Sequence, residues 1–515
     1  MRSGLAHSVV SGITRAEVCG GAVLITRRWV LAGLLAGAAV PAFAEGMGSS
    51  PRPKPRGGVA AKSTASGVPP DSRPLIEAAK LGGSVAFVVA DAVTGVVLEA
   101  WEPELMLPPA SVAKTVTSLF ALDRLGPAFR FVTRVLATGP VVGGIVQGDL
   151  ALAGGGDPTL QTDQLGDLVA TLAARGIRGA TGRFLYWDGA LPRLAGIAKD
   201  QPEHVGYNAA ISGLNLNFNR VYFEWKRSGD GWTVGVDARG ERFVPAVGRV
   251  RVAVAQREAP LFTYSGGAVE EWTVASSALG KGGSRWLPVR DPGAYTADVF
   301  RVLARALGID LAVAEAVAVV PAGQEVGRIE SAALPEVLRE MLKFSTNLTA
   351  ECVGLRASGL GSLAASAGVM TGWARGKFGI KGALVDHSGL GGGSRVSASD
   401  LVAVLGAAGR ELKPLLRDVG MKDDAGAVIK GSPVKVRAKS GTLNFVSCLA
   451  GYISPPPTSK NGGRELVFAI LSGDPARRDA VPVALREAPE GGKAWTKRAR
   501  RLQGQLVARW AGAYG

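Results

Sequence analysis

The sequence predicts an α+β protein in which a helix–sheet core is interrupted by a β-rich insertion. Three observations lead to this prediction. Strand and helix patterns alternate in 74–131, short β-branched runs broken by glycine fill 132–290, and helices followed by two strands return in 291–515. The chain has 515 residues, of which 47% are hydrophobic and 20% charged, as is typical of a globular protein with two or three domains.

The first 44 residues have the pattern of a cleaved export signal. Arg27 and Arg28 precede an apolar stretch at 29–40, and Ala42-Phe43-Ala44 supplies small residues around the cleavage point. The paired arginines favour the twin-arginine route, whereas the rest of the pattern fits a Sec signal equally well, so the route stays open. We expect a secreted or periplasmic protein.

Residues 45–73 are predicted to form a proline-rich basic linker that cannot bury a core. Removal of 1–44 takes away four arginines and one glutamate and leaves a net charge of +13. A basic surface favours anionic partners, and the export signal favours wall polymer or membrane headgroups over nucleic acid. We therefore expect peripheral association with the wall or membrane surface; the alternative is a solvated basic surface without a partner.

The first part of the catalytic domain, 74–131, begins with a predicted hairpin. The strand-like runs Ser84–Val89 and Val96–Trp101 are joined through the turn residues Asp91 to Gly95. A helix follows Pro108-Pro109 and ends at Gly126-Pro127.

The remaining elements are predicted from the same two periodicities. Strand-like runs of the insertion lie at Arg134–Thr138, Arg183–Trp187, Asn217–Trp225 and Arg249–Val254. In the last part, helical patterns lie at Asp298–Leu307, 334–357, 398–409 and around Lys497–Trp510, and strands at Phe445–Ile453 and Glu465–Leu471. The insertion is predicted to form two small domains.

Cysteine and histidine usage argues against metal chemistry. Cys19 leaves with the signal, and Cys352 and Cys448 have no metal-like spacing. They form either a disulfide, in an oxidising compartment, or two buried thiols. The three histidines stand in no zinc-binding pattern, so the sequence predicts neither a metal nor a cofactor.

Three short motifs carry candidate catalytic residues. Ser111-Val-Ala-Lys114 opens the first helix and puts Ser111 and Lys114 on one face, where a partly desolvated lysine can take the serine proton. Ser345-Thr346-Asn347 supplies a second hydroxyl and an amide. Lys439-Ser440-Gly441-Thr442, at the start of a strand, supplies a cation, hydroxyls for a carboxylate and a glycine that lets substrate approach the backbone.

Each motif alone is weak. Ser432-Pro-Val-Lys435 and Ser459-Lys-Asn461 match the first two patterns by chance, and Ser111 by itself would be read as a helix N-cap. Only Ser111 opens a long amphipathic helix. The ordered set of three, each in suitable local structure, favours catalysis.

The chain resembles the low-molecular-mass class C penicillin-binding proteins, the D-alanyl-D-alanine carboxypeptidase/endopeptidase family. The resemblance rests on the three motifs and on the long separation of Lys114 from Ser345. Further family-like sequence segments are Gly154-Gly-Gly-Asp-Pro-Thr-Leu160, Tyr207–Asn217, Asp291-Pro292 and His387-Ser-Gly-Leu390. It implies a penicillin-binding/β-lactamase-like transpeptidase core with an antiparallel sheet. The implied partners are peptidoglycan stem peptides as substrates and β-lactams as covalent inhibitors.

The resemblance also implies roles for the motif residues. Ser111 attacks the carbonyl between the two D-alanines and Lys114 is its base, while the backbone N–H groups of Ser111 and Thr442 form the oxyanion hole. Ser345 relays the proton, Asn347 positions substrate, and Lys439 stabilises charge. Ser440, Gly441 and Thr442 bind the terminal carboxylate, and Asp157 binds the free amine of the substrate; the alternative for Asp157 is a turn-forming role.

One departure from the family pattern bears on specificity. Gly392 stands where the family commonly has an arginine that receives the diaminopimelate end of the substrate, and Arg395 is displaced by three residues along a glycine-rich loop. We therefore expect weak discrimination between peptides that end in a free diaminopimelate side chain and analogues that carry a neutral side chain there. Two other functions stay open: a β-lactamase-like hydrolase on the same core, and a wall-binding relative without activity.

Overall fold

The computed structural model describes residues 72–423 and 426–515. The predicted export signal (1–44), and the predicted linker (45–73) apart from its last two residues, lie outside the described residues. The helices are α1 Arg73–Ala79, α2 Ala113–Leu125, α3 Thr162–Ala174, α4 Pro292–Ala306, α5 Leu334–Phe344, α6 Asn347–Ser358, α7 Leu363–Phe378, α8 Ala398–Ala407, α9 Gly409–Leu412, α10 Pro475–Asp479 and α11 Gly492–Tyr514.

The strands of the first half are β1 Ser84–Asp91, β2 Val97–Trp101, β3 Val132–Ala137, β4 Val141–Val142, β5 Ile145–Val146, β6 Leu150–Ala153, β7 Gly179–Ala180, β8 Phe184–Trp187, β9 Arg220–Ser228 and β10 Gly231–Asp237. Those of the second half are β11 Val250–Ala255, β12 Phe262–Ser265, β13 Glu270–Ala275, β14 Gly282–Pro288, β15 Glu315–Ala316, β16 Gln324–Glu330, β17 Lys435–Leu443, β18 Val446–Ser454 and β19 Leu466–Gly473.

A five-stranded antiparallel sheet joins the two ends of the described chain. Its order is β17-β18-β19-β1-β2, so the predicted N-terminal hairpin is confirmed and pairs with the last strand through β1. Alternate residues of β1 face opposite sides. Phe87 and Val89 pack with Trp510 of α11, whereas Val88 and Ala90 pack in the cluster that contains α2 and α8. Helices therefore cover both faces, and β17 is left as an edge strand.

Helix α2 is the buried centre of the helical layer. Its polar residues Thr115, Thr117 and Ser118 are as buried as its apolar ones, because α5, α6 and α7 pack around it. The predicted helix after Pro109 is confirmed, although its first turn, Ala110–Val112, is a 3₁₀ turn.

The helical pattern at 334–357 is two helices. Helix α5 ends at Phe344, Ser345 takes a left-handed conformation with φ of 61°, and α6 begins at Asn347. The break places the second motif at a helix junction, which periodicity alone does not reveal. Helix α7 was not predicted, because its many alanines and glycines give it no clear apolar stripe.

The β-rich unit reaches from β3 to β16, well beyond the predicted boundary at 290. Strand β15 pairs with β8 and β16 with β3, which completes a sheet of order β15-β8-β6-β3-β16. Helix α4 shares one apolar cluster with these strands, because residues such as Phe300 stack against Phe184. Chain segments that follow 290 thus finish the sheet and the core that earlier segments begin. Three smaller sheets complete the unit as described.

Cys352 and Cys448 are buried free thiols, so the two do not form a disulfide. Cys352 lies on α6 and Cys448 on β18, where its Sγ is 3.3 Å from the carbonyl oxygen of Pro108. Within the described ranges, no helix combines the length and apolar character needed to cross a membrane.

We expect neither thiol to react with a thiol-specific disulfide reagent in the native protein. Burial raises the pKa of Cys448 to about 12 and that of Cys352 well above its usual range, and the thiolate is the reactive form. Colorimetric titration with peptide mapping should find both thiols only after denaturation. If neither thiol is titrated in denaturant without a reductant, the two are disulfide-bonded and the assignment is wrong.

Candidate active site

Two glycines let distant segments converge around Ser111. A Cβ atom at Gly441 would lie 2.6 Å from the carbonyl oxygen of Pro109 and 3.0 Å from the backbone nitrogen of Ser111. A Cβ atom at Gly389 would lie 1.9 Å from the carbonyl oxygen of Ala110. Ala110 itself has a φ of 46°, a conformation that is rare for residues with side chains. The start of α2 is therefore held between β17 and the 388–391 loop.

Lys114 is fully buried beside Ser111. Its Nζ lies 3.0 Å from Oγ of Ser111, 2.8 Å from Oδ1 of Asn347 and 2.8 Å from the carbonyl oxygen of Ser388. Burial disfavours the ammonium form and lowers the pKa of Lys114 to about 8. With such a pKa, roughly a tenth of the lysine is neutral at pH 7, and this neutral form can accept a proton from the serine hydroxyl.

Two buried carboxyl groups that no motif identifies lie behind Lys114. Glu351 accepts hydrogen bonds from the backbone N–H groups of His387 (3.0 Å) and Ser388 (2.9 Å). Asp386 accepts from those of Gly389 and Gly391, both at 2.6 Å. Their charges raise the pKa of Lys114 and oppose the effect of burial, while burial raises the pKa of both carboxyls. Glu351 stands four residues after Asn347 in an apolar helix, which is the signal that could have revealed it.

The second and third motifs meet through Lys439. Its Nζ donates to Oγ of Ser345 at 3.0 Å and to the carbonyl oxygen of Ser440 at 2.6 Å. Burial, together with the charges of Lys114 and Arg417, lowers the pKa of Lys439 well below its usual value. The third motif was predicted to stand at the start of a strand. It lies instead in the second half of β17.

The motif residues line one cleft of about 390 Å³ at the junction of the sheet, the helices and the β-rich unit. The predicted site residues on its wall are Ser111, Ser345, Asn347, Ser440 and Thr442, with Lys114, Lys439 and Gly441 directly behind them. Asn347 Nδ2 donates to the carbonyl oxygen of Tyr207, and Oγ1 of Thr442 accepts from Arg500 at 3.3 Å. Neither Tyr207 nor Arg500 was predicted as a site residue.

Asp157, which is predicted to bind substrate, lies in a turn of the β-rich unit. Its side chain is buried, and Oδ1 accepts from the backbone N–H (2.8 Å) and the hydroxyl (2.6 Å) of Thr159, as a turn-forming aspartate does. Asp157 is not part of the cleft wall. The described residues also contain no cluster of histidine, cysteine and acidic side chains suited to a metal ion.

Comparison with known proteins gives consistent likenesses. A model of the D-Ala-D-Ala carboxypeptidase 3 (S13) family matches residues 74–489. The D-alanyl-D-alanine carboxypeptidase of Actinomadura sp. (strain R39) is 28% identical over 498 residues, which are 81% of this chain and 85% of that protein. D-alanyl-D-alanine carboxypeptidase DacB of Haemophilus influenzae is 25% identical over 428 residues, which are 76% of this chain and 87% of that protein.

Solved structures are similar to this chain over a comparable share of its length. The crystal structure of penicillin binding protein 4 (dacB) from Haemophilus influenzae aligns with a TM-score of 0.68 at 20% identity, covering 85% of this chain and 99% of that chain. The same protein complexed with a β-lactam aligns with a TM-score of 0.65, with equal identity and coverage. The predicted fold class is thereby confirmed.

We expect Gly441→Ala to destabilise the protein by about 1–3 kcal/mol, because its Cβ would press on the backbone before α2. Gly368→Ala on α7 is the matched control: its Cβ meets nothing within 4 Å, and alanine favours the helix by up to about 1 kcal/mol. Thermal unfolding of the two variants checks this. Equal melting temperatures for Gly441→Ala and the parent would contradict the close approach of β17.

Proposed function

The chain belongs to the D-Ala-D-Ala carboxypeptidase 3 (S13) family, and on that premise we propose that it hydrolyses the bond between the two terminal D-alanines of peptidoglycan stem peptides. The enzyme is a serine hydrolase that acts through an acyl-enzyme on Ser111. The observation that carries the proposal is the 3.0 Å contact between Ser111 Oγ and the buried Lys114 Nζ. We also propose that the chain is exported and works outside the cytoplasmic membrane, where its substrate lies.

Lys114 is the general base for acylation in this proposal. The Ser111 proton passes to neutral Nζ as Oγ forms a bond to the carbonyl carbon of the penultimate D-alanine. The C–N bond then breaks, and the leaving D-alanine takes a proton as its amine. Water hydrolyses the ester and regenerates Ser111. The carbonyl oxygens around Nζ hold the lysine in place for both proton transfers.

The backbone N–H groups of Ser111 and Thr442 form the proposed oxyanion hole. Support comes from the close packing at Gly441, where a Cβ atom would come within 3.0 Å of the Ser111 nitrogen. Donors that are already in place stabilise the charge of the tetrahedral intermediate without reorganisation, and removal of one such donor typically costs about 10²–10³ in rate.

The remaining motif residues bind and orient substrate in this proposal. Ser345, hydrogen-bonded to Lys439, relays the proton to the leaving group, and Lys439 adds positive charge. Ser440 and Thr442 bind the terminal carboxylate, and Arg500 beside Thr442 makes that end of the cleft more attractive to an anion. Asn347 positions the substrate backbone while its side chain also contacts Lys114.

β-Lactams would acylate the same serine. A β-lactam carbonyl presents the same target to Ser111, and the related protein of Haemophilus influenzae was solved with a β-lactam bound. A β-lactamase-like hydrolase would release the drug quickly, whereas the proposed enzyme keeps it as an adduct. A wall-binding protein without activity needs no Ser111–Lys114 contact, so the presence of this contact disfavours that alternative.

Incubation with penicillin should add one covalent equivalent to the peptide that contains Ser111. Ser111→Ala should abolish the adduct, because the nucleophile is lost, and leave thermal unfolding nearly unchanged. Intact-mass and peptide mass spectrometry measure the label. Ser432→Ala is the matched control, since Ser432 belongs to a second Ser-x-x-Lys match that does not line the cleft; loss of the adduct in this control would contradict the assignment.

The rate of acylation should rise with pH through the pKa of Lys114, about 8, because only neutral lysine is a base. Burial raises the pKa of Glu351 to about 8, so Glu351 gains its negative charge over the same pH range in which Lys114 loses its proton. Glu351→Gln removes this charge, which in the wild type raises the pKa of Lys114, so the upper part of the acidic limb should move to lower pH. The measurement is the second-order rate of penicillin acylation from pH 5 to 9. Glu336→Gln, an exposed position on α5, is the control. A limb that moves to higher pH in Glu351→Gln would contradict the assignment of Lys114 as the base.

A further inference from the structure

The first half of helix α11 carries a concentrated positive charge. The helix has six basic residues and no acidic one. Two of the six are bonded within the fold, because Arg498 donates to the carbonyl oxygen of Ala79 and Arg509 to the carboxylate of Glu99. The other four are exposed on one face of the helix and form the α11 basic row, which consists of Lys493, Lys497, Arg500 and Arg501.

The α11 basic row lines a cavity of about 900 Å³. A fifth cation, Lys422, enters this cavity from the segment before β17, and its side chain packs against α11 at Gly504, where a Cβ atom would lie 3.3 Å from that of Lys422. Asn444 and residues 487–489 also belong to the wall. Cations from two separate segments of the chain therefore converge on one concave space.

The positive charge of the cavity is not compensated by the residues that the structure describes. None of its five cations is in an ion pair with a described residue. Glu487 is the one acid of the described wall, and it is already bonded to His204 and Arg285. Asp423 and Glu490 are close in sequence but do not belong to that wall. A concave site with this excess of positive charge attracts an anionic ligand.

The spacing of the cations indicates a ligand with repeated charge. Lys493, Lys497 and Arg501 follow one another at intervals of four residues. This interval is about 6 Å along a helix axis, so the three residues span about 12 Å. A single small anion can pair with one or two of these side chains. A ligand that pairs with all three must carry negative charge at successive positions, as a linear polymer does.

The lining disfavours nucleic acid and a membrane surface as the occupant. The described wall contains no aromatic side chain on which a base could stack, although such stacking is the usual device of proteins that bind single-stranded nucleic acid. The wall is also concave, and a flat bilayer would meet its rim before it reached the cations of both segments. A flexible chain without bases fits the cavity better than either.

We propose that this cavity binds a linear polymer that carries one negative charge per repeat, such as a phosphodiester chain. Asn444 and Glu487 line both this cavity and the catalytic cleft, so a bound polymer lies beside the cleft and holds the enzyme there. The inference goes beyond the proposed hydrolysis and does not depend on it. It gives the basic charge of the chain a defined site and a defined class of partner.

Fluorescence anisotropy of labelled inorganic polyphosphate, mixed with the purified full-length protein, tests the site. A triple variant should weaken binding by roughly tenfold or more, because three ion pairs with the chain are lost. The slope of log Kd against log salt concentration should fall by about two, since each lost contact releases fewer counterions. The three substitutions in this variant are Lys493→Gln, Lys497→Gln and Arg501→Gln.

A matched control separates this site from general attraction to a basic protein. It removes the same number of charges from exposed neighbours on the β-rich unit, through Lys226→Gln, Arg227→Gln and Lys281→Gln. The control should bind polyphosphate as the wild type does, and both variants should melt at the wild-type temperature, since all six positions are exposed. Equal losses of affinity in the two variants would overturn the site.

Further measurements on the unsubstituted protein test the position and the ligand class. Bound polyphosphate should protect Lys493 and Lys497 from acetylation, as mapped by mass spectrometry, and leave Lys226 and Lys281 reactive; equal reactivity with and without the polymer would overturn the site. Orthophosphate, or vesicles that contain phosphatidylglycerol, should displace the polymer only weakly. Displacement by either at the same phosphate concentration would show a single anion or a membrane surface as the occupant, and the inferred polymer would be wrong.

Discussion

The site depends on the burial of one amino group. Lys114 Nζ is removed from water in the middle of the helical layer, and every contact near it compensates for that burial or makes use of it. Carbonyl oxygens of Asn347 and Ser388 receive its N–H groups, and the carboxylates of Glu351 and Asp386 supply negative charge farther away. Burial and charge act in opposite directions, and their balance brings the pKa of the lysine near neutral pH, where a base is useful.

The backbone around Lys114 has constrained and left-handed conformations that hold the partners of its amino group in place. Ser388, which accepts from the lysine, belongs to a loop whose N–H groups are tied to Glu351 and Asp386, so the loop has little freedom to turn away. Glycine at 389 and 441 allows this loop and β17 to touch the turn before α2. The left-handed conformation of Ser345 belongs to the same arrangement, because it ends one helix and lets the hydroxyl face Lys439.

The charges around the cleft come from parts of the chain that the motifs do not identify. Arg500 on α11 reaches Thr442, and Arg478 and Arg486 follow the last strand of the sheet. Asp200 comes from the β-rich unit and joins the two sides through its ion pairs. Asp157, the acid predicted from the sequence, forms turn hydrogen bonds with Thr159. The charges near the cleft therefore come from segments outside the three motifs.

The sequence by itself determined the chemistry and most of the core. Ser111 and Lys114 are one helical turn apart, so their proximity follows from local geometry. The apolar run Val85–Ala90 puts apolar side chains on both faces of β1, so both faces must be buried. The sequence alone could not determine which side chains from distant segments come into contact. Whether Asn347 or Ser388 reaches Lys114, and whether Gly392 leaves a gap or room for Arg478, depends on packing between segments far apart in the chain. Local periodicity carries no information about such contacts, because they are set by the combined fit of the sheet, the helices and the β-rich unit.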